Sequence, residues 1–307
     1  MTNLEDIAVV RRFNRSYTQR VGALDDSFLG MGAPLGTMRL LFEIGSEPGT
    51  VRALRARLGF DSGYLSRLLR RLEDDGLVVL RPDPADQRRR LVRLTAKGRR
   101  RWGDLEARSE AKARDLLEPL TERQRARLTA ALTEADLLVR AATITLSDVD
   151  PASAPARDAV GKYFAEIEDR FGFDSAGLDD KDAASLRLPD GVFVLAVSSG
   201  GPPGNEGVAA GGGAAVACGG LQTIADGIGE IKRMWVDDAW RGAGLGSRLL
   251  RHLERRSRDL GHHTLRLDTN KALTEAIEMY DRAGYRRIER YNDNPFATDF
   301  FEKRLAE

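Results

Sequence analysis

The chain has 307 residues, of which 31% are charged and 42% hydrophobic, and a formal net charge of +1. That length exceeds what one core ordinarily supports, so two domains are expected. No apolar run approaches a membrane span, and the single cysteine excludes an intrachain disulfide and suits a reducing cytoplasm. One cysteine and three scattered histidines also argue against a Cys/His metal site.

The near-neutral total hides an asymmetry. Residues 1–150 hold 27 Lys and Arg against 22 Asp and Glu, and the remainder holds 21 against 25. From Arg52 to Arg101 the balance is 15 to 6, a local basic block of the kind that meets a polyanion.

In chain order, apolar residues every three or four positions predict a long helix from Leu4 to Leu29. A second helix follows Pro34 over Leu35–Ile44. A third covers Thr50–Leu58 with Gly59 placed to end it. Asp61 or Ser62 caps a fourth that runs to Asp75. Two short strands, "LVVLR" and "RLVRL", flank the polar tip "PDPADQRR". Thr95 starts a helix to Leu117, and Thr121 with Gln124 forms a capping-box pattern for a last one reaching about Thr145. "SDVDPASAPARD" lacks periodicity and reads as a linker.

Beyond it the pattern becomes mixed α/β. A helix is expected at Ala159–Phe171, then strands at Val192–Val197, Ala214–Leu221 and Glu230–Val236. A helix to Leu260, a strand "TLRLDT", a helix Ala272–Ala283 and two closing strands follow. "SSGGPPGNEGVAAGGG" reads as a flexible hairpin loop, because no helix follows it.

In the fourth helix Leu65, Leu68, Leu69 and Leu72 form one stripe. Ser62, Gly63, Ser66, Arg67 and Arg70 fall away from it, as on a helix offered to a DNA major groove. Arg88, Arg89 and Arg90 at the hairpin tip suit phosphate and minor-groove contact. "LSRLLRRLEDDGLVVLRPDPADQRRRLVRLTAKG" resembles the winged helix-turn-helix core of MarR-type transcriptional regulators, including the Asp86-x-Arg88 pair. The resemblance implies a homodimer held by the first and last helices, and a pseudo-palindromic double-stranded DNA operator.

In "VDDAWRGAGLGSRLL" a strand ends at Val236, and Gly242, Gly244 and Gly246 precede a helix. Backbone N–H groups at such a junction can approach a phosphate. The spacing is neither a dinucleotide-binding Rossmann loop nor a Walker loop, which needs Gly-Lys-Ser/Thr. With "EIKRMWV" before it and "AIEMYDRAGY" after, it resembles motif A of GNAT acetyltransferases, whose defined positions are filled by Arg241, Gly244 and Gly246. That resemblance implies acetyl-CoA as co-substrate. Its pyrophosphate would lie on Arg241, Gly242, Ala243, Gly244, Leu245, Gly246 and Ser247, its pantetheine arm along Met234, Trp235 and Val236, with Asn270 nearby.

It also implies Tyr280 as the acid for the departing thiolate, and Glu230 is a candidate base. Glu166, Arg170, Tyr291 and Asn292 are candidate acceptor-side residues. Glu166 and Arg170 also have the spacing of a simple surface ion pair.

The expected architecture is therefore multidomain. An all-α-rich, MarR-like winged helix-turn-helix domain covers residues 1–146, a linker 147–158, and an α/β GNAT domain with a mixed, mostly antiparallel sheet 159–307. The expected function is a cytoplasmic DNA-binding regulator that transfers acetyl from acetyl-CoA to an amine. Two alternatives stay open at this point: a non-catalytic acetyl-CoA or amine sensor, and a protein lysine acetyltransferase.

Overall fold

Gly22 at φ +70° turns the backbone just after helix α1 (Leu4–Arg20), so this helix stops well short of Leu29. The computed structural model describes residues 3–84, 86–172, 183–198 and 214–305. The chain divides into two units, Met1–Leu132 and Thr133–Glu307.

In the first unit, α2 (Leu35–Ser46) follows Pro34 and leads to β1 (Gly49–Thr50). The Thr50 hydroxyl accepts from the N–H of Ala53 to cap α3 (Val51–Leu58), and Gly59 at φ +64° ends it. Asp61 caps α4 (Ser62–Asp74) by accepting from the N–H of Tyr64 at 2.7 Å. Strands β2 (Val78–Pro82) and β3 (Arg90–Leu94) complete an antiparallel sheet in the order β1-β3-β2. Helices α5 (Ala96–Leu117) and α6 (Glu122–Ala142) follow. The core gathers Leu40, Leu41 and Ile44 of α2, Leu54 of α3, Leu65 and Leu72 of α4, Val92 of β3 and Leu105 of α5. Gly98 lets α5 close on the strand end, since a Cβ there would lie 1.9 Å from the carbonyl oxygen of Leu77.

The second unit begins within α6. Its elements are β4 (Thr145–Val149), α7 (Ala154–Phe171), β5 (Gly191–Ser198), β6 (Ala214–Ala225) and β7 (Ile228–Val236). They continue with α8 (Leu245–Asp259), β8 (Thr264–Thr269), α9 (Thr274–Arg282), β9 (Arg286–Ile288) and β10 (Asp299–Arg304). The seven-stranded sheet has the order β4-β5-β6-β7-β8-β10-β9, and β7 with β8 is its parallel pair. Alternation along β5 sends Val192, Val194 and Ala196 to the face covered by Leu249, Leu250 and Leu253 of α8. Phe193 and Leu195 go to the face covered by Ala156, Ala159 and Val160 of α7.

Here the structure departs from the expected linker and helix end. Residues 147–158 are not a structureless connection, because β4 pairs with β5 from Thr145↔Val197 to Val149↔Phe193 and α7 already starts at Ala154. Ile144 is buried in the second unit's core, with Leu137 and Leu146 packed against it. The loop expected between Ser198 and Ala214 lies outside the described residues. Among the described residues no helix is long and apolar enough to cross a membrane, and no cluster of His, Cys, Asp and Glu could hold a metal ion.

Candidate functional site

Helix α4 buries Leu65, Leu68, Leu69 and Leu72 and exposes Ser62, Gly63, Ser66, Arg67 and Arg70. The expected division of faces is therefore realised. Ser66 donates its hydroxyl to the carbonyl of Ser62 at 2.7 Å, and the Arg67 guanidinium sits 5.9 Å from the centroid of the Tyr64 ring. At the hairpin tip Asp86 organises the turn. Its carboxylate accepts from the N–H of Arg88 at 3.1 Å and pairs with Arg89 at 3.0 Å. Arg88, Arg89 and Arg90 are exposed, but Arg89 is drawn back to Asp86.

In the second unit the sheet splits between β7 and β8. Their parallel pairing runs from Ile228↔Thr264 to Ile231↔Leu267 and then stops, although both strands continue. The cause is a bulge in β7. Cys218 faces Trp235 and Gly220 faces Lys232, so Arg233 and Met234 together oppose Gly219, with Arg233 at φ +51°. β7 stays with β6 while β8 stays with β10, and a cleft of about 440 Å³ opens in the wedge.

Tyr163, Phe164, Ile167 and Phe171 of α7 form one wall of this cleft. Lys232, Arg233 and Met234 come from β7, Asp268 from β8, and Tyr280 from α9. Asn292, Asn294 and Phe296 come from the β9–β10 loop.

After β7 the chain makes a short turn, Asp238–Trp240, and reaches the glycine loop. Gly242 and Gly244 adopt φ +84° and +73°, and Gly244 is the N-cap of α8 with no side-chain cap. The first N–H groups of α8 therefore lack the usual side-chain partner. A Cβ at either glycine would meet nothing within 4 Å, so the space over the loop is open. Gly246 lies against Met279 and Val236.

The Arg241 side chain is turned elsewhere. It donates to both Glu166 oxygens at 2.6 Å and to the carbonyl of Val236 at 3.1 Å, and it pairs with Asp238. Trp235 Nε1 and Arg170 also reach Glu166, at 2.9 and 2.8 Å. Glu166 is thus a knot tying α7 to β7 and the glycine loop, beyond a surface pair with Arg170. The Asn270 amide bridges the carbonyl of Phe296 and the N–H of Ala272, fixing the β9–β10 loop against the start of α9.

Tyr280 is buried, its ring 5.9 Å from those of Tyr285 and Phe301. Its hydroxyl lies 3.9 Å from Met234 Sδ at the wedge. Burial, with Tyr163 and Asp268 nearby, pushes its phenol above the ordinary range, so it stays protonated. Burial likewise moves Tyr163 up to about 12.

Glu230 is 3% exposed and stands behind the cleft wall. One of its oxygens accepts from Tyr291 at 2.7 Å and Asn292 at 3.0 Å. The other accepts from Gln222 at 2.7 Å and pairs with Lys232 at 3.3 Å. Its four acceptor sites are filled, which gives it the geometry of a buried hub. Glu230→Ala is expected to cost about 3 kcal/mol, the scale for removing one partner of a buried ion pair. Urea unfolding followed by circular dichroism would show an earlier midpoint, and an unchanged midpoint would deny the hub.

Sequence reasoning passed over Asp268, Lys232 and Tyr163. Asp268 carried a usable signal: a carboxylate at the carboxyl end of an α/β strand, where ligands gather.

Fold and sites thus define a chain that joins a winged helix-turn-helix unit to an acetyltransferase-type α/β unit. Residues 30–89 match the MarR family and residues 171–285 match the acetyltransferase (GNAT) family, so the chain carries a MarR-family segment followed by a GNAT-family segment. It is similar to an "IAA acetyltransferase" of Azospirillum brasilense, 29% identical over 159 residues that cover 50% of this chain and 94% of that protein. A GNAT family acetyltransferase from Elizabethkingia anophelis, solved with acetyl-CoA bound, is 17% identical with a TM-score of 0.38, covering 53% of this chain and 99% of that one. A mutant MarR from E. coli, solved with operator DNA, is 25% identical with a TM-score of 0.37, covering 44% of this chain and 99% of that one.

Proposed function

We propose that the chain is a DNA-binding regulator whose second unit transfers an acetyl group from acetyl-CoA to an amine. The observation that carries the transferase reading is the split between β7 and β8, with a glycine-capped helix N-terminus following β7. The open backbone at Gly242 and Gly244 suits a pyrophosphate, and the β8-facing edge of β7 around Met234 suits an extended pantetheine arm. The carbonyl of Val236 already accepts from Arg241, so Met234 is the better backbone partner.

The amine arrives as the ammonium ion and loses one proton to water, and the neutral nitrogen then attacks the thioester carbon. The C–N bond forms, the C–S bond breaks, and the surplus proton on nitrogen leaves to water. Tyr280 donates its hydroxyl proton to the departing sulfur and is reprotonated from solvent. Acetyl-CoA-dependent thiol release in the presence of amines tests this, and its absence for every amine class would overturn it.

The basic face of α4 and the Arg88 tip support binding of a duplex operator. α1 supports a homodimer: none of its residues is buried, and Leu4, Val10 and Phe13 are each half or more exposed. Arg88→Ala is expected to weaken operator binding and flatten the plot of log affinity against log salt by about 0.9 per lost phosphate contact. An unchanged slope in a folded variant would remove Arg88 from the contact set.

A further inference from the structure

We infer that the acceptor is a monoamine with an apolar, aromatic-sized body, and that Asp268 anchors its ammonium group. The inference rests on the acetyl-transfer reading and adds the acceptor class to it. Among the described residues lining the cleft, Asp268 is the one carboxylate. One of its oxygens accepts from Asn292 at 2.6 Å and the other from Asn294 at 3.2 Å. These neutral amides aim the carboxylate into the cleft.

Lys232 bridges two carboxylates, 3.3 Å from Glu230 and 3.6 Å from Asp268, so an incoming ammonium shares Asp268 with it. Arg233 lays its guanidinium over Phe164, 5.5 Å from the ring centroid, and so serves as part of an aromatic wall. Ile167, Phe171, Leu273 and Phe296 extend the apolar lining. A polyamine calls for several carboxylates, and the described lining offers one. One oriented carboxylate, already partnered by Lys232 and set beside aromatic and aliphatic groups, leaves room for no more than one further positive charge, attached to a flat apolar body.

The test uses the full chain and three acceptors: 2-phenylethylamine, phenylalanine and spermidine. Acetyl-CoA binding is titrated in parallel. The expected order puts 2-phenylethylamine first in kcat/KM. In Asp268→Asn its KM should rise roughly 10- to 100-fold, the scale of one charge-assisted hydrogen bond, with acetyl-CoA affinity unchanged. The neutral analogue 2-phenylethanol should inhibit wild type and variant equally, which a purely structural role for Asp268 would not produce. Asp268→Glu keeps the charge and should keep the preference for amine over alcohol, and it decides the matter if the amide variant does not fold. If acetyl-CoA binds but 2-phenylethylamine is not the best acceptor, or its KM is unmoved in Asp268→Asn, the acceptor assignment falls. If wild type does not bind acetyl-CoA, the transferase reading itself falls.

Discussion

Gly244→Val is expected to weaken acetyl-CoA binding by roughly 100-fold or more, the loss of two charge-assisted hydrogen bonds at a helix N-terminus. Gly244 sits at φ +73° and ψ 11°, a left-handed conformation that a β-branched residue adopts only under strain. No protein atom lies within 4 Å of the position its Cβ would take, so the substitution creates no internal clash. Its effect comes from a tilted backbone and a branched side chain standing in the open space above the loop. Helix α8 should stay folded, because Leu245, Leu249 and Leu253 anchor it in the core. Gly244→Asn separates the two causes, since asparagine tolerates the left-handed region and brings less branching. Near-native affinity in the valine variant, measured by calorimetry, would sink the phosphate-loop assignment.

Tyr280→Phe should lower turnover by about 10²- to 10⁴-fold, the range for a general acid, while acetyl-CoA affinity changes little. The ring keeps its packing against Tyr285 and Phe301, and only the hydroxyl near Met234 is lost. The wild-type phenol is held above its ordinary range by burial, so its acid form persists throughout neutral pH. It should therefore add no falling limb to the rate profile in that region. Wild-type turnover in the phenylalanine variant would make Tyr280 a packing residue and send the search for the acid elsewhere.

Both predictions start from residues readable in one dimension, and the contrast with the rest is instructive. The four-leucine stripe of α4, the Asp61, Thr95 and Thr121 caps and the glycines after Val236 act within one turn of themselves. Local spacing was enough to expose them. The knot at Glu166 was not legible, because Arg241 and Trp235 reach it from distant parts of the chain. Glu230 and Asp268 look alike as strand carboxylates. Glu230 lies where β7 and β8 still pair, and Asp268 lies one residue past the last pair, so one is a hub behind the wall and the other an anion in the cleft. β4 was hidden for a related reason: an edge strand of mostly polar residues, paired on one side, leaves little alternation to read.

Helix α6 carries a consequence for anyone dividing this molecule. It runs unbroken from Glu122 to Ala142, yet Leu137 and Ala141 pack in the second unit's core. The carbonyl of Ala141 in its last turn and that of Ile144 are gripped by Arg248, one turn into the helix that follows the glycine loop. A scissile site at residue 147 would thus strand an apolar stub on one fragment and strip the sheet's border from the other. Excised separately, the second unit needs a start upstream of Thr133, so that this shared stretch of helix travels with it.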